Sequence, residues 1–177
     1  MDAILFTTNT GSTERYANLL SQATELPAYS LARARREVLP DAEVNYLGWI
    51  RAGKVIGYAA AARRYMLRAV CAVGMGQTGA QAESVRNKTR IPADVPLFTL
   101  QGGFDVRKLH GFYRLAMEMM VRTAGKGLAQ KEDRSPVEDD MLDLMVSGGD
   151  RVSMKNLRTV LDWCQNQGLY GKTGGRG

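Results

Sequence analysis

The chain reads as an α/β domain built on a doubly wound parallel sheet of five strands, with helices on both faces. Three observations carry that reading. Short β-rich apolar runs alternate with longer helix-patterned segments, the order that parallel crossovers require. Runs such as VCAV (70–73) and PLFTL (96–100) are continuously apolar, as strands buried on both faces are. At 177 residues the length suits one domain whose core stands without disulfide or metal, expected over residues 1–170.

The strands are expected at Ala3–Thr7, Ala28–Leu31, Glu43–Leu47, Ala69–Val73 and Pro96–Gln101, from their β-branched and apolar content. Helical patterns follow at Ser12–Glu25, Lys54–Leu67, Ala80–Thr89 and Val106–Thr123. The link from Leu31 to Ala42 is short and charged, so its helix is brief at best. After Thr123 the stretch AGKGLAQKEDRSPVEDD (124–140) is polar and reads as a surface connection, with Ser135 as a cap before Pro136 and Val137. MLDLMV (141–146) and KNLRTVLDWCQNQ (155–167) read as two short C-terminal helices separated by the SGGD turn, the second closed by Gly168. The tail 171–177, GKTGGRG, is expected to be disordered.

Composition narrows the chemistry. The chain is 45% hydrophobic and 24% charged, ordinary for a globular protein. No apolar run approaches the ~20 residues that span a bilayer, and the N-terminus lacks a basic leader region, so a cytoplasmic location is the expectation. Cys71 and Cys164 lie far apart, and Cys71 inside AVCAV reads as a buried small hydrophobe. With His110 the only histidine, His- or Cys-rich metal sites and most imidazole-activated nucleophiles are set aside. The net charge of +6 comes from basic residues spread along the chain without interleaved aromatics, so no nucleic-acid partner is expected.

Site chemistry concentrates in three glycine-containing turns. The first, Thr8-Asn9-Thr10-Gly11-Ser12-Thr13, follows the first strand and opens the first helix. Helix N-termini present unpaired N–H groups and partial positive charge, which favour a phosphate. One hydroxyl would serve as a cap; four around a glycine point to an anion. A P-loop is excluded because no lysine is present, and the only GK[ST], Gly171-Lys172-Thr173, has Asn166 where the first glycine belongs. The second turn spans Gly48, Trp49, Ile50, Arg51, Ala52, Gly53 and Lys54. Trp49 is expected in a loop, as an aromatic wall for a flat ligand. The third, Gly74-Met75-Gly76-Gln77-Thr78-Gly79, matches GxGxxG, with Asp94 at the spacing of a dinucleotide fingerprint. Asp94, however, precedes the next strand instead of ending it, so this turn reads as a loop beside a ligand held mainly elsewhere.

The first turn resembles the T-x-T-G-x-T phosphate loop of flavodoxins. The stretches GWIRAGK and LQGGFDVRKLHGFYRLAMEMMVRTAGK are similar to the quinone-dependent protoporphyrinogen oxidase branch of that superfamily. The resemblance covers roughly residues 1 to 130. It implies strand order 2-1-3-4-5 with FMN at the switch point. Thr8, Asn9, Thr10, Gly11, Ser12 and Thr13 would hold the phosphate. Gly48, Trp49, Ile50, Arg51, Ala52, Gly53 and Lys54 would serve one ring face, and Gly74, Gly76, Gln77, Thr78 and Gly79 the other ring edge, with Arg51 or Lys54 raising the flavin potential. It further implies an oxidoreductase passing electrons from a reduced donor, such as a porphyrinogen, to a quinone or similar acceptor. The alternatives are an electron-transfer flavodoxin serving a protein partner, and a phosphate-binding module without flavin. Membrane association would be peripheral at most. Flavodoxins are typically acidic, unlike this chain. Leu109, Phe112, Leu115, Ala116, Met119 and Met120 give the fourth helix an apolar stripe, read as core-facing first and as a surface for quinone or porphyrin second.

Overall fold

The computed structural model describes residues 1–103 and 149–168, with a few single positions between them. β1 (Ala3–Thr7), β2 (Ala28–Ser30), β3 (Glu43–Arg51), β5 (Met66–Gly74) and β6 (Leu97–Gln101) form a parallel sheet in the order β2-β1-β3-β5-β6. A two-residue strand, β4 (Lys54–Val55), pairs antiparallel with the end of β3 and makes the sheet six-stranded.

That hairpin corrects the expected second turn and the expected helix at Lys54–Leu67. β3 does not stop at Leu47; it runs through Gly48, Trp49 and Ile50 to Arg51. The chain reverses at Ala52 (φ 50°) and Gly53 (φ 78°), and Arg51 pairs with Lys54. Two successive left-handed residues in a two-residue loop match the right-handed twist of the flanking strands. The helix that remains, α3, covers only Tyr58–Ala62, and β5 begins three residues before the predicted Ala69.

Period-2 alternation divides the core between the two faces. Ile4 and Phe6 of β1, Leu47 of β3, and Cys71 and Val73 of β5 pack with Tyr16, Ala17 and Leu20 of α1 (Ser12–Thr24). Their neighbours Leu5, Tyr46, Val70 and Ala72 face α2 (Leu31–Glu37), α3 and α4 (Ala82–Thr89) through Ala34, Tyr58, Ala61 and Val85. The last helix, α5 (Arg158–Asn166), follows a 3-10 turn at Met154–Leu157. It lies on the α1 face, where Leu157, Val160 and Cys164 are fully buried. Each such aliphatic side chain contributes about 1.5–3 kcal/mol by leaving water. The predicted helix at Val106–Thr123 (nearly all of it, with His110), the helix at 141–146 and the tail 171–177 lie outside the described residues. Among the described residues no helix is long and apolar enough to cross a membrane.

Candidate functional site

In an open parallel sheet the strand order reverses where consecutive connections leave toward opposite edges, and a crevice opens there at the carboxyl ends of the strands. Here that point lies between β1 and β3. A cavity of about 240 Å³ sits there, bounded by the turns after β1, β3, β5 and β6. All three predicted turns contribute: Asn9, Thr10, Ser12 and Thr13; Trp49, Ile50 and Ala52; Gly74, Gly76 and Gln77.

At the α1 end the cavity lining consists of polar side chains at a helix N-terminus. Gly11 caps the helix in the left-handed region (φ 93°), and no side chain caps its amides. The hydroxyls are divided between structure and cavity. Thr8 Oγ1 accepts from Gly11 N–H at 3.1 Å and closes the turn from outside the cavity lining. Ser12 Oγ accepts from Gly103 N–H at 3.1 Å, which leaves its own proton to donate. Thr13 is 2% exposed, lines the cavity, and has no hydrogen-bond partner for its hydroxyl among the described residues. Its oxygen remains accessible within the cavity and is available to donate to a bound acceptor. Among the described residues no charged side chain lines the cavity.

Apolar and aromatic side chains make up another part of the lining. Trp49 stands in register with Val73 of β5, on a strand instead of the predicted loop. With Ile50, Val73 and Leu100 it gives the cavity a flat hydrophobic side. Arg51 is exposed and lies with its guanidinium 5.7 Å from the Trp49 ring centroid. Neither Arg51 nor Lys54 lines the cavity.

Several predicted site residues serve the scaffold. Gly48 lies inside the sheet, paired with Thr7 and Ala72, and a Cβ there would meet Val55 Cγ1 at 2.5 Å. Gly53 turns the hairpin against the Lys88 side chain. Thr78 Oγ1 accepts from Gln101 N–H at 3.0 Å, and Gly79 N–H donates to Thr99 O at 3.0 Å. The third turn is thereby folded back over β6. Tyr46 fastens hairpin to phosphate turn: its hydroxyl lies 2.6 Å from Ile56 O and 2.8 Å from Thr7 Oγ1. Burial pushes the Tyr46 phenol up to about 12, against the opposing hydrogen bond to Thr7.

Sequence reasoning missed Val73, Met75, Ala80, Gln81, Thr99, Leu100, Gly102 and Gly103, all of which line the cavity. The glycine pair carried a usable signal, since it ends the last parallel strand at the carboxyl edge. A Cβ on Gly102 would meet Val73 Cγ1 at 2.8 Å, and one on Gly103 would meet Gly149 O at 2.7 Å. FMN, the cofactor the resemblance implies, fits this donor set: neutral hydroxyl and amide groups share the lining with Trp49 and aliphatic side chains, with no acid among the described lining residues. Comparison with protein-family models, curated proteins and solved structures returns no match for this chain, so its function rests on the chemistry of this cavity.

Proposed function

We propose that the chain is a flavodoxin-like redox protein that binds FMN in this cavity. As an oxidoreductase it would pass electrons from a reduced donor, of the porphyrinogen type, to a quinone or similar acceptor. The observation that carries the reading is the Thr13 hydroxyl, which has no hydrogen-bond partner among the described residues and lies at a helix N-terminus that no side chain caps. It lines the same cavity as Trp49. FMN, when bound, supplies the redox chemistry. The α1 amides with Thr10, Ser12 and Thr13 would hold its phosphate. Trp49, Ile50 and Leu100 would exclude water from one side of its ring, and the turn after β5 would border the ring edge.

Titrating purified protein with FMN tests the reading. A saturable change in the flavin visible spectrum, with quenched flavin fluorescence, is the expected result. Failure to bind FMN, while inorganic phosphate still competes for a phosphate probe, would replace it with a phosphate-binding module. Oxidation of the reduced, FMN-loaded protein by added quinone separates an oxidoreductase from a carrier that discharges only to a protein partner.

A further inference from the structure

The turn after β6 is fastened residue by residue to the cavity walls formed by β5 with its following turn and by the start of α1. Gln101 N–H donates to Thr78 Oγ1 in the turn after β5. Gly102 N–H donates to Gly74 O at 2.7 Å, and Gly103 N–H donates to Ser12 Oγ at the start of α1. The carbonyl of Gln101 is the remaining tie, and it points to a different part of the chain. It accepts from the Tyr16 hydroxyl at 2.5 Å. That hydroxyl in turn accepts from Asn156 Nδ2 at 2.7 Å, and the same amide donates to Arg151 O at 2.8 Å. Asn156 belongs to the 3-10 turn that leads into α5. The segment is held independently by the Arg15–Asp150 ion pair and by the burial of Leu157.

Two hydrogen-bonded legs, joined by the covalent backbone of residues 101–103, lead from Asn156 to the cavity. Asn156 donates to Tyr16, Tyr16 donates to Gln101 O, and two residues on, Gly103 N–H donates to Ser12 Oγ. An oxygen whose lone pair is already engaged by Gly103 directs its own proton elsewhere, and Ser12 lines the cavity. The backbone of residues 101–103, pinned at Gln101 O by Tyr16 and at Gly102 N–H by Gly74 O, fixes the position of the Gly103 N–H that engages Ser12. We infer that Asn156 and Tyr16 are positioning residues that set the affinity of the cavity for the phosphate of its ligand, acting through Gln101–Gly103 on the Ser12 hydroxyl. The inference rests on the flavin reading above and deepens it. The C-terminal segment, which the resemblance does not reach, then helps set the specificity of the cavity for the phosphorylated cofactor.

The test compares FMN with riboflavin, which lacks the phosphate. Dissociation constants for both are measured on the full chain and on Asn156→Ala and Tyr16→Phe, with thermal unfolding followed in parallel. Tyr16→Phe keeps the buried ring and removes only the hydroxyl, so it decides the matter if Asn156→Ala fails to fold. Each variant is expected to bind FMN roughly tenfold more weakly, the equivalent of one lost hydrogen bond, and riboflavin within about twofold of the parent. Equal weakening of both ligands would mean that the hub only supports the fold, and unchanged FMN binding would mean that it does not reach the phosphate; either overturns the inference. A parent chain that binds neither flavin overturns the FMN reading itself, and the inference with it.

Discussion

The guanidinium of Arg51 lies 5.7 Å from the centroid of the Trp49 ring, so a positive charge sits beside an aromatic wall of the cavity without entering it. A cation in that position stabilises added negative charge on a flavin packed beside Trp49, and it does so through a region open to solvent. In the FMN-loaded protein, Arg51→Gln is therefore expected to lower the flavin midpoint potential at low ionic strength. The difference should shrink as salt approaches 1 M, where the screening length is ~3 Å. Potentiometric titration at two salt concentrations checks this. A shift upward, or no shift in dilute buffer, would remove Arg51 from the electrostatics of the site.

Thr13 separates binding from folding. The residue is buried and its hydroxyl makes no hydrogen bond among the described residues, so Thr13→Val keeps the shape and removes no hydrogen bond of the fold. Denaturant unfolding without ligand should show Thr13→Val as stable as the parent or slightly more so. FMN binding should weaken by roughly 1.5–3 kcal/mol, the range for a hydrogen bond to a charged group. Loss of stability with unchanged FMN affinity would place the phosphate elsewhere.

Gly57 and Gly79 offer a controlled pair, since both have φ of +86°. A Cβ on Gly57 would meet Tyr46 Oη at 2.1 Å and Thr7 Oγ1 at 2.6 Å, whereas one on Gly79 meets nothing within 4 Å. Gly79→Ala should cost about 1 kcal/mol from backbone strain alone. Gly57→Ala adds the clash and should cost about 3 kcal/mol or more. Equal costs in urea unfolding would show that the Tyr46–Thr7 contact yields easily.

How much of this was legible in the sequence follows from how local each signal is. The parallel strands and the hydroxyl-rich turn at α1 were readable because period-2 burial and helix-start chemistry are written in adjacent residues. The β3–β4 hairpin was not. Its loop is Ala52-Gly53 where Asn-Gly would have announced a two-residue turn, and the apolar alternation around it is only two residues deep on the β4 side. Ile50 and Val55 pair across it, five positions apart, a spacing that marks neither one helix face nor one strand face in the sequence. The sharing of Ser12 Oγ with Gly103, 91 positions away, and of Tyr16 with Asn156, 140 positions away, has no local signature at all. The Thr8 hydroxyl, by contrast, accepts from Gly11 N–H three residues on, a bond whose signature is local.

Alkaline pH should weaken the fold through two buried acids. Burial pushes the Tyr46 phenol up to about 12, and burial, with a smaller effect from Cys164, pushes the Cys71 thiol up as well. In the unfolded chain both groups release their protons near their ordinary values, about 8.5 for a thiol and about 10 for a phenol. Above those values the unfolded state binds fewer protons than the folded one, so stability falls as pH rises. It should be full below about pH 8.5, begin to decline as the unfolded thiol ionises, and fall more steeply from about pH 10 to 12, by at most ~1.4 kcal/mol per pH unit for each group. Tyr46→Phe is expected to start lower, by about 1–3 kcal/mol, because Ile56 O and Thr7 lose a partner. Between pH 10 and 12 its decline should be shallower. Cys71→Ala should flatten the earlier part of the curve. Urea unfolding at unit steps from pH 7 to 11 measures both slopes. A parent protein equally stable at pH 8 and 11, or a Tyr46→Phe curve parallel to it above pH 10, would show that the phenol is not held protonated by its surroundings.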